Sequence, residues 1–181
     1  AYLGLTAFTI FYRKLSHLEQ SDGTTVMMRY TLRLLAAQQF TRAATLICAC
    51  EYIRQDCLQK KHKYPKYPLG KSPITIGLWI GGTHIPNKNT GDRSAEYHLE
   101  KLRGVSHAYS VRNEKERHNK FQVLKCPWCG TKLVKDDKNG RLVGEWGYAM
   151  KGKHFYMFCP HEDCDFTKRL PIQIIDEELY N

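Results

Sequence analysis

The apolar positions of the first stretch recur at helical steps. Leu3, Ala7, Ile10, Phe11, Leu15 and Leu18, with Lys14 among them, fall three and four residues apart and predict a helix over 2–18. Ser21-Asp22-Gly23 breaks that pattern. Thr24-Thr25-Val26-Met27-Met28-Arg29-Tyr30 is β-prone and predicts a short buried strand. The longest helix is expected from Leu34 to about Lys60, where Phe40, Ala43, Ile47, Cys50, Ile53 and Cys57 keep to one side. Lys61 to Pro73 is basic, holds three prolines and reads as a loop. Ile74-Thr75-Ile76-Gly77-Leu78-Trp79-Ile80 predicts a second buried strand, ended by Gly81-Gly82. A helix–strand–helix–strand order is the pattern of an α/β domain with a mostly parallel sheet.

From Thr83 to Lys125 the pattern weakens, with a short helix expected over Ser94–Arg103. Val111 to Lys120 is almost wholly polar and reads as a solvated connector. Cys126 to about Arg169 is a separate small unit, and Leu170-Pro171-Ile172-Gln173-Ile174-Ile175 is apolar again, the mark of a return to the main sheet. The expected division is therefore 1–110 for the main α/β body, 111–125 for a polar connector, 126–169 for an insertion and 170–181 for the return strand. No internal repeat or low-complexity tract is present.

Composition narrows the class. The 181 residues are 42% hydrophobic and 25% charged, proportions of a folded chain rather than a disordered one. No stretch approaches the ~18 consecutive apolar residues of a spanning helix, and no secretory signal pattern is visible, so a cytoplasmic location without a membrane partner is expected. The chain opens Ala1-Tyr2-Leu3 directly into a helical pattern and stops soon after Ile175. The expectation is an internal segment of a longer polypeptide.

Seven cysteines, an odd number without a secretion signal, argue against a disulfide framework. Cys126-Pro127-Trp128-Cys129-Gly130 and Cys159-Pro160-His161-Glu162-Asp163-Cys164 form two knuckles. Zinc takes four soft ligands at tetrahedral corners, and a tight turn lets two thiolates face one point. Hairpins between the knuckles are expected from Lys132-Leu133-Val134, Arg141-Leu142-Val143 and Phe155-Tyr156-Met157-Phe158, with Asn139-Gly140 as a turn. The reading is a structural-zinc ribbon on Cys126, Cys129, Cys159 and Cys164. A full set of four thiolates leaves no open position for catalysis. The blander accounts are two disulfides or four free thiols, and His161 could stand in for Cys164. Cys48, Cys50 and Cys57 are read as core thiols, Cys50 and Cys57 on the apolar helix face and Cys48 pointing elsewhere.

Twenty-eight Lys and Arg against 18 Asp and Glu leave a net charge of +10. Arg54, Lys60, Lys61, Lys63, Lys66 and Lys71 cluster around Tyr64 and Tyr67, and Lys115, Arg117, Lys120 and Lys125 form a second basic stretch. Clustered cations attract phosphate backbones by counterion release, and tyrosines stack on bases. Either stretch alone is as well explained by a solvated loop. The overall charge favours a nucleic-acid partner.

Thr31-Leu32-Arg33-Leu34-Leu35-Ala36-Ala37-Gln38 resembles motif Ia of superfamily 2 helicases, Pro-Thr-Arg-x-Leu-Ala-x-Gln, with Thr31 and Leu32 standing where the motif has Pro and Thr. Gly81-Gly82 is similar to the Gly-Gly motif that follows it. More closely, Arg29 to Leu35, Gln38-Gln39-Phe40, Arg42-Ala43-Ala44, Ile76 to Gly82, Pro86-Asn87 and then a four-cysteine insert resemble DrmA-type helicases of the DISARM anti-phage system. The resemblance implies a partial RecA-like motor domain with an inserted zinc module, part of an ATP-dependent DNA helicase or translocase. It implies that a phosphate-binding Gly-Lys-Thr-Glu run stands just before Ala1, so ATP and Mg²⁺ belong to the parent protein and this chain alone should not hydrolyse ATP. It implies strand-phosphate contacts from Thr31 and Arg33, and close backbone approach at Gly81 and Gly82; Lys61 and Lys63 of the basic stretch are read as nucleic-acid contacts from their charge. Its implied partners are DNA, the rest of the parent chain and a partner subunit of the defence system. Asp176-Glu177 has the look of a Walker B end, but Asp176-Glu177-Glu178-Leu179 lacks the family's His, and a strand-end acidic turn is expected. The alternative from another class is a stand-alone zinc-ribbon module that binds nucleic acid or protein without motor activity.

Overall fold

The computed structural model describes residues 2–17, 23–30, 33–58, 67, 69–79, 85–103, 120–134 and 147–175. Its elements are α1 (Tyr2–Ser16), α2 (Arg33–Leu58), β1 (Ile76–Leu78), α3 (Ala95–Arg103), β2 (Tyr148–Lys151), β3 (His154–Met157) and β4 (Ile172–Ile174). Two compact units emerge, Ala1–Ile76 and Gly77–Asn181.

In the first unit α1 lies against α2. Ile10 of α1, Ile47 and Cys50 of α2, and Ile74 form the buried cluster, with Ala7, Phe11, Leu46 and Ile76 packed on it. The Lys14 side chain is buried too, and its ammonium donates to the Ser72 carbonyl at 2.9 Å. A second line of α1 residues, Tyr2, Leu5, Phe8, Tyr12 and Leu15, is exposed. So Leu15 is not on the packed stripe where periodicity put it.

The inward face of α2 also differs from expectation. Phe40, Ala44, Ile47, Glu51 and Arg54 are buried at steps of four and three, whereas Ile53 is exposed. Cys48, expected to point away, is fully buried. The face is set by a charge pair rather than by hydropathy. Arg54 Nε donates to Glu51 Oε2 at 2.7 Å, and Arg54 reaches the carbonyls of Gly70 and Lys71 at 3.2 and 3.1 Å. Glu51 also accepts from the Ile74 amide at 2.7 Å and from Gln55 at 2.9 Å. With both oxygens engaged, a buried carboxylate is tolerated and ties the segment before β1 to the helix.

The strand expected over Thr24–Tyr30 is not formed. That segment carries no ladder, and Met27 is 76% exposed. β-propensity expresses fit to a pleated, half-buried surface, and among the described residues no strand pairs with this segment.

Among its described residues the second unit has two small sheets. β1 pairs with β4 in a two-stranded parallel sheet, so the segment after the cysteines returns beside the strand before them. β2 and β3 form an antiparallel hairpin through Gly152-Lys153, with Tyr148 opposite Met157 and Lys151 opposite His154. Asn139-Gly140, the expected turn, lies outside the described residues. The chain is therefore α/β with helices and a small parallel sheet.

Successive backbone bonds stitch the cysteine region sideways. Leu133 N–H donates to Leu124, Gly147 to Leu133, Phe158 to Gly147, and Leu170 to Met157, at 2.7–3.0 Å. Gly147 has no room for a side chain: a Cβ there would lie 2.7 Å from Leu133 Cβ and 2.8 Å from the Phe158 carbonyl. The core beneath is aromatic. Phe121 stacks on Phe155 at 4.5 Å and tilts against Tyr148 at 4.7 Å, and the Tyr148 hydroxyl donates to the Val123 carbonyl. Phe121 and Val123, in the span read as a polar connector, are thus buried beside the cysteine region.

Candidate metal centre

The first knuckle is shaped by two backbone bonds, Cys126 N–H to Thr131 O at 2.8 Å and Gly130 N–H to Cys126 O at 2.9 Å. Gly130 takes φ +79, which a side-chain-bearing residue rarely adopts, and this closes the turn behind Cys129. The second is closed by Cys164 N–H to His161 O at 3.0 Å and Cys159 N–H to Phe166 O at 2.9 Å.

The two turns bring four sulfurs together. The Sγ atoms of Cys126, Cys129, Cys159 and Cys164 all lie within 4.8 Å of one another. Cys126 and Cys164 are 4.0 Å apart, and Cys129 and Cys159 3.4 Å. A tetrahedral ion with ~2.3 Å metal–sulfur bonds needs sulfurs ~3.8 Å apart, so the observed spacings bracket that value. None of the seven cysteines is disulfide-bonded in this structure. Cys164 joins the sulfur cluster, whereas the side chain of His161 is exposed.

The backbone already treats these sulfurs as anions. Cys129, Cys159 and Cys164 each receive a hydrogen bond from the amide two residues on, those of Thr131, His161 and Phe166. For Cys129 burial works upward, but the Thr131 hydroxyl and amide outweigh it and bring the thiol down to about 6. Cys164 is pushed up to about 11, chiefly by burial, and Cys159 is pushed up further by burial and by its neighbouring sulfurs. A cluster holding one ready thiolate and resisting the next is what sulfurs do at this spacing without a cation between them. A divalent ion removes the repulsion.

Around the sulfurs, Trp128 packs edge-on against Phe166 at 5.7 Å, and its indole N–H donates to Asp165 Oδ2 at 2.8 Å. Sequence reasoning did not assign Trp128, Asp165 or Thr131 a role. The signal was their position, each one or two residues from a knuckle cysteine.

The expected nucleic-acid residues are not brought into view. Thr31, Lys61, Lys63, Gly81 and Gly82 lie outside the described residues, as do the side chain of Arg33, which opens α2, and Asp176-Glu177. Arg54, counted with the first basic stretch, is a buried structural group and is withdrawn from it. Burial also accounts for Cys50, whose thiol is pushed up to about 11 as a core residue's would be. No helix among the described residues is long and apolar enough to cross a membrane.

No protein-family model matches the chain, and no solved structure matches it. Over 186 aligned residues it is 35% identical to the DISARM protein DrmA of Bacillus paralicheniformis (strain ATCC 9945a / NCIMB 11709 / CD-2). The alignment covers 99% of this chain but 15% of that relative's length. Along almost all of its residues, with the four-sulfur cluster included in the span, this chain resembles one segment of DrmA.

Proposed function

We propose that this chain is a segment of an ATP-dependent DNA helicase or translocase of an anti-phage defence system, stiffened by a structural zinc ribbon. The similarity to DISARM protein DrmA over 99% of the chain carries this reading. The return of β4 to the side of β1 supports a module inserted into a RecA-like sheet, because the cysteine region lies between two strands that pair. In this reading Thr31, Arg33, Gly81, Gly82, Lys61 and Lys63 contact the DNA backbone, and ATP and Mg²⁺ bind elsewhere in the parent protein. The further partners are the remainder of the parent chain and a second subunit of the defence system.

Cys126, Cys129, Cys159 and Cys164 would hold the zinc. With four thiolates it has no open coordination position, and its contribution is to fix the knuckles, on the order of 10–16 kcal/mol in isolated fingers. Metal analysis of the purified chain should return one zinc per polypeptide; a metal-free, folded protein would remove the ribbon from the proposal.

The rival is a zinc-ribbon binding module without motor activity, favoured by the compactness of the second unit with its own aromatic core. Arg33→Ala in the parent polypeptide separates the two. A motor segment loses DNA-stimulated ATP hydrolysis by tenfold or more, whereas a passive module leaves turnover unchanged.

A further inference from the structure

The first knuckle sets two lysines directly opposite one another. The bonds Cys126 N–H to Thr131 O and Leu133 N–H to Leu124 O fix an antiparallel register in which Lys125 and Lys132 are direct partners. Residues so placed have Cβ atoms ~4.5–5.5 Å apart, and like charges there repel. Both lysines are exposed, while Cys126 and Leu133 beside them are buried and hold the backbone in place. Among the described residues no carboxylate lies within ion-pair distance of either lysine.

Among the described residues of the cysteine region the exposed acids are Glu162, Asp163 and Asp165 in the second knuckle, and Asp165 is occupied by Trp128. Lys151, Lys153, Lys168 and Arg169 are exposed as well. Leu124, next to Lys125, is 55% exposed and offers an apolar flank to whatever sits there.

We infer that the Lys125–Lys132 pair is a phosphodiester-binding site, through which the cysteine ribbon itself grips a nucleic-acid backbone. The inference rests on the nucleic-acid reading above and assigns it a surface outside the residues that resemblance supplied. Two lysine side chains rooted at directly opposed backbone positions can both reach one phosphate group with charge-assisted bonds, and the anion cancels the repulsion. An acidic protein would meet the same charges, but a fixed pair over an isolated β-bridge matches a single compact anion better than a spread of flexible carboxylates.

The test is a salt titration of fluorescent single-stranded and duplex DNA binding by the full 181-residue zinc-loaded protein, beside Lys125→Gln/Lys132→Gln and Lys125→Arg/Lys132→Arg. The glutamine pair should weaken binding roughly 10- to 50-fold near 0.1 M salt. It should also reduce the slope of log K against log salt by about 0.9 on duplex or 0.7 on single strands, one phosphate contact's worth. The arginine pair should bind as the parent does. An unchanged slope with tight parental binding overturns this site and leaves the nucleic-acid reading standing. Absence of parental binding at low salt overturns both. Loss of polyglutamate binding in the glutamine pair, with DNA binding intact, assigns the surface to an acidic protein and also overturns the site. Zinc content equal in all three proteins shows that the fold is kept.

Discussion

The indole N–H of Trp128 donates to Asp165 across 2.8 Å, joining the residue between the first two cysteines to the one just after the last. The two knuckles are thereby linked by a hydrogen bond besides the sulfur cluster. A neutral donor to a carboxylate in an exposed setting contributes about 1 kcal/mol. Trp128→Phe and Asp165→Ala should each weaken zinc binding about fivefold in competition with a chromophoric chelator. The double variant should be no weaker than either single one, because both remove the same bond. Additive losses would show the contact to be incidental.

Metal removal should be felt by the second unit first. Chelation should abolish the near-ultraviolet dichroism of Trp128, which the knuckle packs against Phe166 at 5.7 Å. Cys164→Ser should prevent stoichiometric zinc uptake, whereas His161→Ala should leave it unchanged, since His161 points to solvent.

Proton release follows from the same sulfurs. Near pH 7.5 the metal-free Cys129 is largely thiolate, with its value down at about 6, while Cys164, pushed up to about 11, and Cys159 keep their protons. Zinc must displace those protons, so its apparent affinity rises with pH. Calorimetry in buffers of different ionisation enthalpy should count at least the protons from Cys159 and Cys164.

Glu51 sets an acid limit on the first unit. Burial pushes its carboxyl up, but bonds from Arg54, Gln55 and the Ile74 amide outweigh that and hold it below its ordinary 4.5. A depressed carboxyl stabilises the fold above its unfolded value, and that contribution is lost as pH falls below 4.5 through the folded value. Glu51→Gln leaves Arg54 buried without its counter-charge. It should cost about 3–5 kcal/mol at pH 7 by denaturant titration and flatten the acid limb.

Gly147→Ala should destabilise the second unit by about 2–3 kcal/mol, because its methyl group would press on a backbone carbonyl and on Leu133 Cβ, neither of which can rotate away. Leu133→Ala in the same chain should not restore the loss, since the Phe158 carbonyl, 2.8 Å from the new Cβ, remains. Thermal unfolding of the single and double variants measures this.

Much of the site was legible in the chain. The spacing of Cys126, Cys129, Cys159 and Cys164 sufficed to name the four sulfurs that the fold gathers, because a short loop confines two thiols to one side of a turn whatever surrounds it. The helices over Tyr2–Ser16, Arg33–Leu58 and Ala95–Arg103 were legible for a similar reason: each hydrogen bond closes within four residues. The hairpin of β2 and β3 was half seen. Phe155 to Phe158 read as a strand, but Tyr148 to Lys151 did not, since its burial comes from Phe121, far away in sequence.

What the sequence determined by itself was local: helical periodicity, the thiol pairs, the excess of positive charge and the resemblance to DrmA-type proteins. What only the tertiary structure decided was which groups meet. Hydropathy put Ile53 inward and said nothing of Glu51 and Arg54, yet the charged pair is buried because its partners come from residues 70, 71 and 74. Thr24 to Tyr30 has strand-forming residues and forms no strand, because a ladder needs a second chain segment within hydrogen-bonding reach. Lys125 and Lys132 face one another only because a turn closed on cysteines fixes their register. Local propensities act over a few residues, whereas desolvation and strand pairing depend on whatever distant segment arrives.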